Sequence, residues 1–399
     1  MDIGSTRNMT NDPGYYADAL NFSKEEYERR LKTVQTHMDG AQIDVLIVSA
    51  CINIHYLTGY QNSGQDRFQC LLVPKSGEPH FVLRKLWFTA VAGLSWTKGG
   101  TPVGDTEDMF EATLAAIRKI AGDTAAVGYD QSNLGLPPAI IDGLRKALPK
   151  ARFVPAFGVV EKARLYKSPA ELDCIRRAAA LSVRGLDAAI RAIQPGKTEK
   201  DLMAASYFEM VSAGSDHVSA QPIVVAGYRE PARRCMTEGR EIRTGTSIWY
   251  EGSAFVKRYG APIMRTTSVG KPGPDLQRIA DVMVRALDAI VNTAGPGVES
   301  GKVDRAARSI VEEAGLGEFW LHRTGYSMGV SFSPTWGEGE VMDIKAGDPR
   351  KLEAGMVFHT VPWVLMPGLG CIGNSETWAV TETGVEVLTQ TPRELRVSL

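Results

Sequence analysis

The sequence lacks the features that would place the chain in a membrane or on nucleic acid. No run of about 18 apolar residues occurs, so no segment is expected to span a bilayer. Lysine and arginine number 45 and aspartate and glutamate 46, and the net charge of -1 provides no basic field for nucleic acid. The N-terminus, MDIGSTRNMTNDPGYYADAL, is polar and has no apolar signal segment.

Cysteine is also scarce. The five cysteines are scattered and odd in number, and no CxxC pair occurs. This pattern favours free thiols in a reducing compartment over a disulfide framework. We therefore expect a cytoplasmic protein. The cysteines are Cys51, Cys70, Cys174, Cys235 and Cys371.

What is present is a globular composition. The 399 residues are 44% hydrophobic and 23% charged, which is enough for two domains with large cores. We expect an irregular N-terminal arm at 1–23, an α/β domain at 24–162 and an α+β domain at 163–399. Strands alternate with helices before the boundary, whereas long helices and strand-rich stretches follow it.

Two serines mark helix starts. Ser23 precedes an amphipathic run and is followed by Glu26 in capping-box spacing. Ser168 is followed by Pro169 at the first turn of a long amphipathic pattern. The stretch IHYLTGY leads into a loop at 61–67. Further helices are predicted at 107–121, 137–148, 198–213, 274–293 and 301–314, and strands at 44–50 and 67–74.

Two of the six histidines stand out by their context. His322 and His359 each lie in a dense polar and aromatic stretch, LHRTGYSMGVSF and MVFHTVPWV. A histidine in a cleft can be a base, a metal ligand or a satisfied core residue. His37 and His80 are interpreted as structural, and His217, in a polar loop, is left open.

Residues 160–391 resemble the catalytic domain of the aminopeptidase P, prolidase and creatinase superfamily. The first half, with DVLIVSACINIHYLTGY, resembles the smaller domain of the same group. The resemblance implies a pita-bread catalytic domain after the α/β domain, and a homodimer. The five segments that carry it, in family order, are LYKSPAELDCIRRAA, GTSIWYEGSAFVKRYGAPIMRTTSVG, HRTGYSMGV, LEAGMVFHTVP and GNSETWAVTETGVEVLT.

The chain departs from this family at the metal ligands. Metal-dependent members use two Asp, one His and two Glu. Proline and valine side chains have no donor atoms, and two divalent ions need several. We therefore expect no metal and no other cofactor, although a shift by one residue would restore Glu376 as a ligand. The residues that the resemblance places at the ligand positions are Glu251, Pro262, Tyr326, Val361 and Ser375.

Loss of the metal leaves two interpretations, a binding protein without activity or a metal-free hydrolase. The superfamily contains metal-free enzymes, creatinase and ectoine hydrolase, which cleave C–N bonds of small polar compounds. The chain resembles the ectoine hydrolase group in particular, through Tyr326, His359 and the pair Ser375-Glu376. The resemblance implies a small zwitterion or cyclic amidine with a carboxylate as substrate.

Four residues are predicted to carry the chemistry. Glu251 is the nucleophile or the water-activating base, and His359 shuttles the proton. Glu376 binds the cationic nitrogen, and Tyr326 donates to a developing charge. Arginines for a carboxylate and aromatic walls for a cation complete the pocket. These substrate-binding candidates are His322, Arg265, Arg323, Tyr250, Trp336 and Trp363.

Several of these residues have a plainer interpretation. Arg265 could brace its hairpin, and Glu376 could form a structural ion pair. Trp336 and Trp363 could pack in the core or at a dimer interface.

The loop YQNSGQDRFQ at 60–69 is a further candidate. In creatinase-like dimers the small domain of one subunit covers the partner's active site. The resemblance therefore implies that Tyr60, Gln65, Asp66 and Arg67 close the neighbouring pocket. This loop is more polar than in ectoine hydrolases, which leaves a related substrate possible.

The stretch 227–243 often contains a histidine in this family, and creatinase uses it as acid and base. This chain has Arg233 and Arg234 there, so His359 is expected to replace it. The alternatives to a metal-free hydrolase are a metal-dependent Xaa-Pro dipeptidase and an inactive small-molecule-binding homologue. A C–S lyase of this fold would need the missing metal residues.

Overall fold

The structure is a computed structural model that divides the chain into two compact units, Met1–Arg164 and Leu165–Leu399. No helix in the described ranges is long and apolar enough to cross a membrane. His217, Gln65, Asp66, Arg233 and Arg234 lie outside the described residues. The residues described are 20–62, 67–131, 135–216, 218–231, 235–339 and 341–398.

The first unit is an α/β layer. Its strands are β1 Val45–Val48, β2 Cys70–Pro74, β3 His80–Arg84, β4 Gly100–Val103, β5 Ala126–Tyr129 and β6 Arg152–Pro155. They form one sheet in the order β4-β3-β2-β1-β5-β6, with parallel pairs at β3–β4, β1–β5 and β5–β6. Its helices are α1 Lys24–Gly40, α2 Cys51–Thr58, α3 Lys85–Phe88, α4 Val91–Leu94, α5 Met109–Ala121 and α6 Pro138–Ala147, and α7 Glu161–Leu165 spans the division between the units.

Local sequence signals explain most of these elements. The hydroxyl of Ser23 accepts a hydrogen bond from the backbone N–H of Glu26, which confirms the predicted start of α1. Helix α2 was not predicted. It has eight residues, too few for a periodic pattern, and it ends at Gly59, whose φ of 82° is the left-handed conformation of a helix cap.

The second unit contains two larger sheets and long helices. Its strands are β7 Ile223–Ala226, β8 Ser247–Gly252, β9 Phe255–Val256, β10 Tyr259–Gly260, β11 Ile263–Val269, β12 Gly325–Ser327, β13 Asp343–Ile344, β14 Val357–Thr360, β15 Trp363–Met366, β16 Gly370–Gly373, β17 Glu376–Val380, β18 Val385–Val387 and β19 Arg396–Ser398. Its helices are α8 Pro169–Arg191, α9 Glu199–Ser212, α10 Pro274–Thr293, α11 Ser300–Glu313 and the 3₁₀ turn Gly317–Phe319.

One sheet has the order β19-β11-β8-β7 and the other β13-β12-β14-β17-β18. Helices α10 and α11 pack with the second sheet in one apolar core, in which Leu287 and Ile290 join Phe358 and Trp378. Helix α8 packs with the first sheet in another core, which contains Tyr250. The faces of the two sheets that these helices leave free carry the candidate site.

The start of α8 can be tested directly. Ser168 and Glu171 form a complete capping box. We expect Ser168→Ala to lower the free energy of unfolding by about 1 kcal/mol, because the backbone N–H of Glu171 loses the Ser168 hydroxyl as its acceptor. Urea denaturation followed by circular dichroism would measure it. Thr383→Ala, at an exposed turn of the same unit, is the control, and equal stability of both variants would contradict the assignment.

Candidate active site

Glu251 is the acid of the site, and it stands on β8. Successive strand residues point to opposite faces, so Glu251 shares a face with Trp249, and Tyr250 faces the other way. Its register partners are Ile223 and Met264 on the adjacent strands. Glu251 is 8% exposed. No hydrogen bond reaches its carboxylate from the described residues, and burial raises the pKa of Glu251 to about 8.

A chain of hydrogen bonds crosses the second sheet. Tyr326 on β12 stands opposite His359 on β14. The indole Nε1–H of Trp336 donates to the Tyr326 hydroxyl at 2.7 Å, and that hydroxyl lies 2.9 Å from Nδ1 of His359. Nε2 of His359 lies 2.6 Å from Oγ of Ser375. Four side chains are therefore connected in one line.

His359 is a neutral member of this chain. It is fully buried, and both ring nitrogens are engaged. Burial, and then the charge of Arg265, lower the pKa of His359 to about 3. Both engaged nitrogens and the low pKa of the ring argue against the predicted proton shuttle. Its contacts instead hold Tyr326, whose phenol pKa is raised by burial and by the Glu251 charge.

Glu376 and Arg265 do not belong to the pocket. Arg265 Nη2 donates to Glu376 at 2.7 Å, and both side chains are buried. The second carboxylate oxygen of Glu376 accepts from the Thr389 hydroxyl at 2.6 Å. Because Ser375 faces His359, strand alternation turns Glu376 to the opposite face. The substrate-binding roles predicted for Glu376 and Arg265 are thus replaced by a structural ion pair.

Tyr250 is a further correction. Its ring belongs to the apolar core under α8, and its hydroxyl lies 2.7 Å from Oγ of Ser206. It therefore cannot form an aromatic wall of a pocket on the face that carries Glu251.

His322 contacts backbone carbonyl groups and a tryptophan ring. Its Nδ1 and Nε2 lie 2.6 and 3.3 Å from the carbonyl oxygens of Arg323 and Trp363. Its ring stacks on Trp363 with centroids 4.4 Å apart, and burial lowers the pKa of His322 to about 4. Both ring nitrogens face backbone carbonyl oxygens, and a neutral imidazole donates its single N–H to one of them. The geometry therefore assigns His322 a packing role in place of the predicted substrate contact.

The remaining candidates in this unit lie around Tyr326. Trp336 packs with Phe255 and Tyr326, and Trp363 lies 5.8 Å from Trp249 between ring centroids. The guanidinium of Arg323 stands 4.9 Å above the Tyr326 ring and is paired through Nε with Asp343 at 3.0 Å. Arg323 and Tyr326 both line a cavity of about 560 Å³.

Tyr60 and Arg67 belong to the first unit. Tyr60 is 2% exposed and packs on Phe81 at 5.3 Å, and its hydroxyl donates to the carbonyl of Trp87 at 3.1 Å. The Tyr60 side chain is thus buried by contacts within its own unit, which contradicts the prediction that it closes the partner's pocket. Arg67 is exposed, and its role stays a prediction.

The residues at the family's metal positions do not fit a dinuclear centre. The carbonyl oxygen of Pro262 accepts the Thr377 hydroxyl at 2.8 Å, and Val361 belongs to an apolar cluster with Trp249. Ser375 is bonded to His359. Within the described ranges, no group of three or more His, Cys, Asp or Glu side chains could hold a metal ion.

Comparisons with known proteins agree with the fold. The family described as "Metallopeptidase family M24" matches residues 173–382, and the "Creatinase/Prolidase N-terminal domain" matches 30–166. The chain belongs to the M24 family. It is a hydrolase-family protein with a creatinase-type N-terminal domain and a pita-bread catalytic domain, as predicted from the sequence.

Three similar proteins indicate the range of possible activities. The ectoine hydrolase of Halomonas elongata is 28% identical and matches 95% of this chain and 99% of its own length. The Xaa-Pro dipeptidase of Lactobacillus helveticus is 26% identical and matches 92% and 98%. The crystal structure of the dipeptidase PepE from Mycobacterium ulcerans superimposes with a TM-score of 0.82 at 28% identity, over 94% and 99%.

Sequence reasoning missed two residues of this M24 site. The sequence places Ser375 at a lost ligand position and in the pair that resembles ectoine hydrolases, without a predicted role of its own, and it does not indicate Trp249. The signal for both was strand alternation. Trp249 stands two residues before Glu251, and Ser375 stands immediately before Glu376, whose buried side chain points away from the pocket. The indole N–H of Trp249 is buried and has no partner in the described part of the chain.

The structural role of Glu376 gives one prediction. We expect Glu376→Gln to lower the free energy of unfolding by about 3–5 kcal/mol, because Arg265 then keeps a buried charge without a counter-charge. Chemical denaturation would measure the change, with Glu382→Gln at an exposed turn as the matched control. A Glu376→Gln protein of unchanged stability would contradict the reassignment.

The buried acid gives a second prediction, on pH. The carboxyl of Glu251 is ionised above about pH 4.5 in the unfolded chain but stays protonated up to about pH 8 in the folded one. The folded state therefore binds the extra proton, and stability falls as pH rises through this window. Glu251→Gln removes that fall, so its stability advantage over the natural protein should grow from pH 5 to pH 8.

Denaturation midpoints measured at about unit steps from pH 5 to pH 8 test this expectation. Glu382→Gln should follow the natural protein at every pH. An advantage of Glu251→Gln that is constant with pH would mean that Glu251 is ionised in the folded protein.

Proposed function

We propose that the protein is a metal-independent hydrolase that cleaves a C–N bond of a small zwitterionic or cyclic amidine compound, as ectoine hydrolase or creatinase does. The observation that carries the proposal is Glu251, a buried carboxyl without a hydrogen-bonding partner in the described residues. The family's other metal-ligand positions carry a proline, a valine, a tyrosine and a serine in this chain.

The charge state of Glu251 favours a cationic substrate group. A carboxylate in apolar surroundings is costly unless an opposite charge or a hydrogen-bond donor accompanies it. The described residues supply neither, so an amidinium or ammonium group of the substrate is the natural counter-charge. Its arrival lowers the pKa of Glu251 and produces the carboxylate where it is needed.

The carboxylate then has two routes. It attacks the amidine carbon, or it takes a proton from water that attacks that carbon. In either route water finally adds OH to the carbon and H to the leaving nitrogen. The Tyr326 hydroxyl stands where it can donate a hydrogen bond to the charge that develops.

Arg323 is the proposed anchor of the substrate carboxylate. Its guanidinium is half-exposed, lines the cavity of about 560 Å³, and is paired with Asp343 through Nε. That volume suits a small molecule. We also propose a cytoplasmic homodimer in which the first unit, with Arg67, covers the partner's pocket.

A metal-dependent Xaa-Pro dipeptidase is the second candidate, favoured by the similarity to the Lactobacillus helveticus enzyme. It would require ions held by other residues than those the family uses. A homologue that binds small molecules without turnover is the third.

Proton NMR of the purified protein with ectoine, 5-hydroxyectoine, creatine or Ala-Pro in excess EDTA separates the candidates. We expect ring opening or urea release in EDTA and loss of at least 100-fold in rate for Glu251→Gln, of the order of one essential acid–base group. The rate constant kcat/KM of the natural protein should rise with pH up to about 8, because the free enzyme needs ionised Glu251.

Glu382→Gln is the control and should retain full turnover. Cleavage of Ala-Pro only after addition of Mn²⁺ would establish the dipeptidase instead. Binding of a compound without turnover in either condition would support the inactive homologue.

A further inference from the structure

We propose that Ser375 is a positioning residue, whose hydroxyl donates to Nε2 of His359 and thereby fixes the ring with its proton on Nδ1, so that the Tyr326 hydroxyl must donate its own proton into the pocket. The resting geometry carries this inference. Its consequence for turnover rests on the proposed function.

Ser375 is fully buried. Its Oγ accepts the backbone N–H of Met264 at 2.7 Å and lies 2.6 Å from Nε2 of His359. A serine hydroxyl has one proton to donate and two lone pairs. The contact with His359 can therefore run in either direction, and the two directions have different consequences.

If Nε2 carries the proton, Ser375 accepts two hydrogen bonds and its own O–H has no acceptor among the described residues. A buried hydroxyl proton without an acceptor destabilises the folded state. If instead Ser375 donates to Nε2, its proton and one lone pair are both used. The Tyr326 hydroxyl then loses His359 as its acceptor, but it is only partly buried and Tyr326 lines the cavity, so water can accept its proton. Satisfaction of the fully buried Ser375 hydroxyl therefore selects the second direction.

The consequence passes through the ring to Tyr326. A neutral imidazole with an unprotonated Nε2 has its proton on Nδ1, and Nδ1 then donates to the Tyr326 oxygen at 2.9 Å. The same oxygen accepts the Nε1–H of Trp336 at 2.7 Å. Both lone pairs of the phenol oxygen are then occupied, so its single O–H can serve only as a donor.

The Tyr326 hydroxyl is therefore a hydrogen-bond donor in the pocket and does not act as an acceptor there. A tyrosine with both lone pairs occupied cannot accept a proton from the substrate or from water, and it offers a hydrogen bond wherever negative charge or a lone pair appears. Such fixed donors stabilise developing charge without reorganisation. Ser375 acts through His359 and does not touch the substrate.

The test is nitrogen NMR of the natural protein labelled with ¹⁵N-histidine, which distinguishes protonated from unprotonated ring nitrogens. His359→Gln identifies the signals of the ring by their loss. We expect a protonated Nδ1 and an unprotonated Nε2 for His359. A protonated Nε2 with an unprotonated Nδ1 would overturn the proposal. The measurement uses no substrate, so its result tests the tautomer even if the proposed function is wrong.

Ser375→Ala provides the second measurement, with Ser327→Ala as the matched control. Ser327 lies beside Tyr326, and its buried hydroxyl has no partner in the described part of the chain. We expect the His359 nitrogen signals to shift or to show both tautomers in Ser375→Ala, and to stay unchanged in Ser327→Ala and in Ser375→Thr. Signals of Ser375→Ala identical to those of the natural protein would contradict the role.

With a substrate from the EDTA screen, Ser375→Ala should lower kcat about tenfold, the size of one lost charge-assisted hydrogen bond. KM should change little, and Ser375→Thr should restore kcat. An equal loss in Ser327→Ala would assign the effect to packing and overturn the positioning role.

Discussion

The buried ion pair of Arg265 and Glu376 is the interaction on which the site depends, because it joins the two sheets of the catalytic unit. Arg265 belongs to β11 and Glu376 to β17, and the guanidinium also donates to the carbonyl oxygens of Ser375 and Pro392. The backbone N–H of Ser375 donates in turn to the carbonyl of Met264. These contacts fix which residues of each strand face the pocket. A buried pair with every oxygen bonded tolerates no shift of register.

The second constraint is the carboxyl of Glu251 on β8, which has no counter-charge in the described residues. Glu251 is buried beside Trp249 and near Tyr326, and nothing in the described residues neutralises it. Here the substrate itself is the proposed cation, and the positions of the family's other ligands carry proline, valine, tyrosine and serine.

The hydrogen-bonded side chains near Glu251 carry no charge. Trp336, Tyr326, His359 and Ser375 form one hydrogen-bonded line, and burial keeps His359 uncharged. A neutral line holds the Tyr326 hydroxyl in place and adds no charge that would compete with the substrate for Glu251. Two residues predicted as charged participants, Glu376 and His359, thus support the site from behind it.

The sequence by itself determined the family, both domains and nearly every long helix, because capping residues, amphipathic periodicity and ordered motifs are local signals. It also singled out Glu251 and Tyr326. Only the tertiary structure decided whether Ser375 or Glu376 faces the pocket. Adjacent strand residues point to opposite faces, and no local pattern states which face is the pocket when both are buried. The same reason explains the errors at Arg265 and Tyr250. His359 differs, since its neutrality follows from burial and from partners on other strands, which the one-dimensional sequence does not contain.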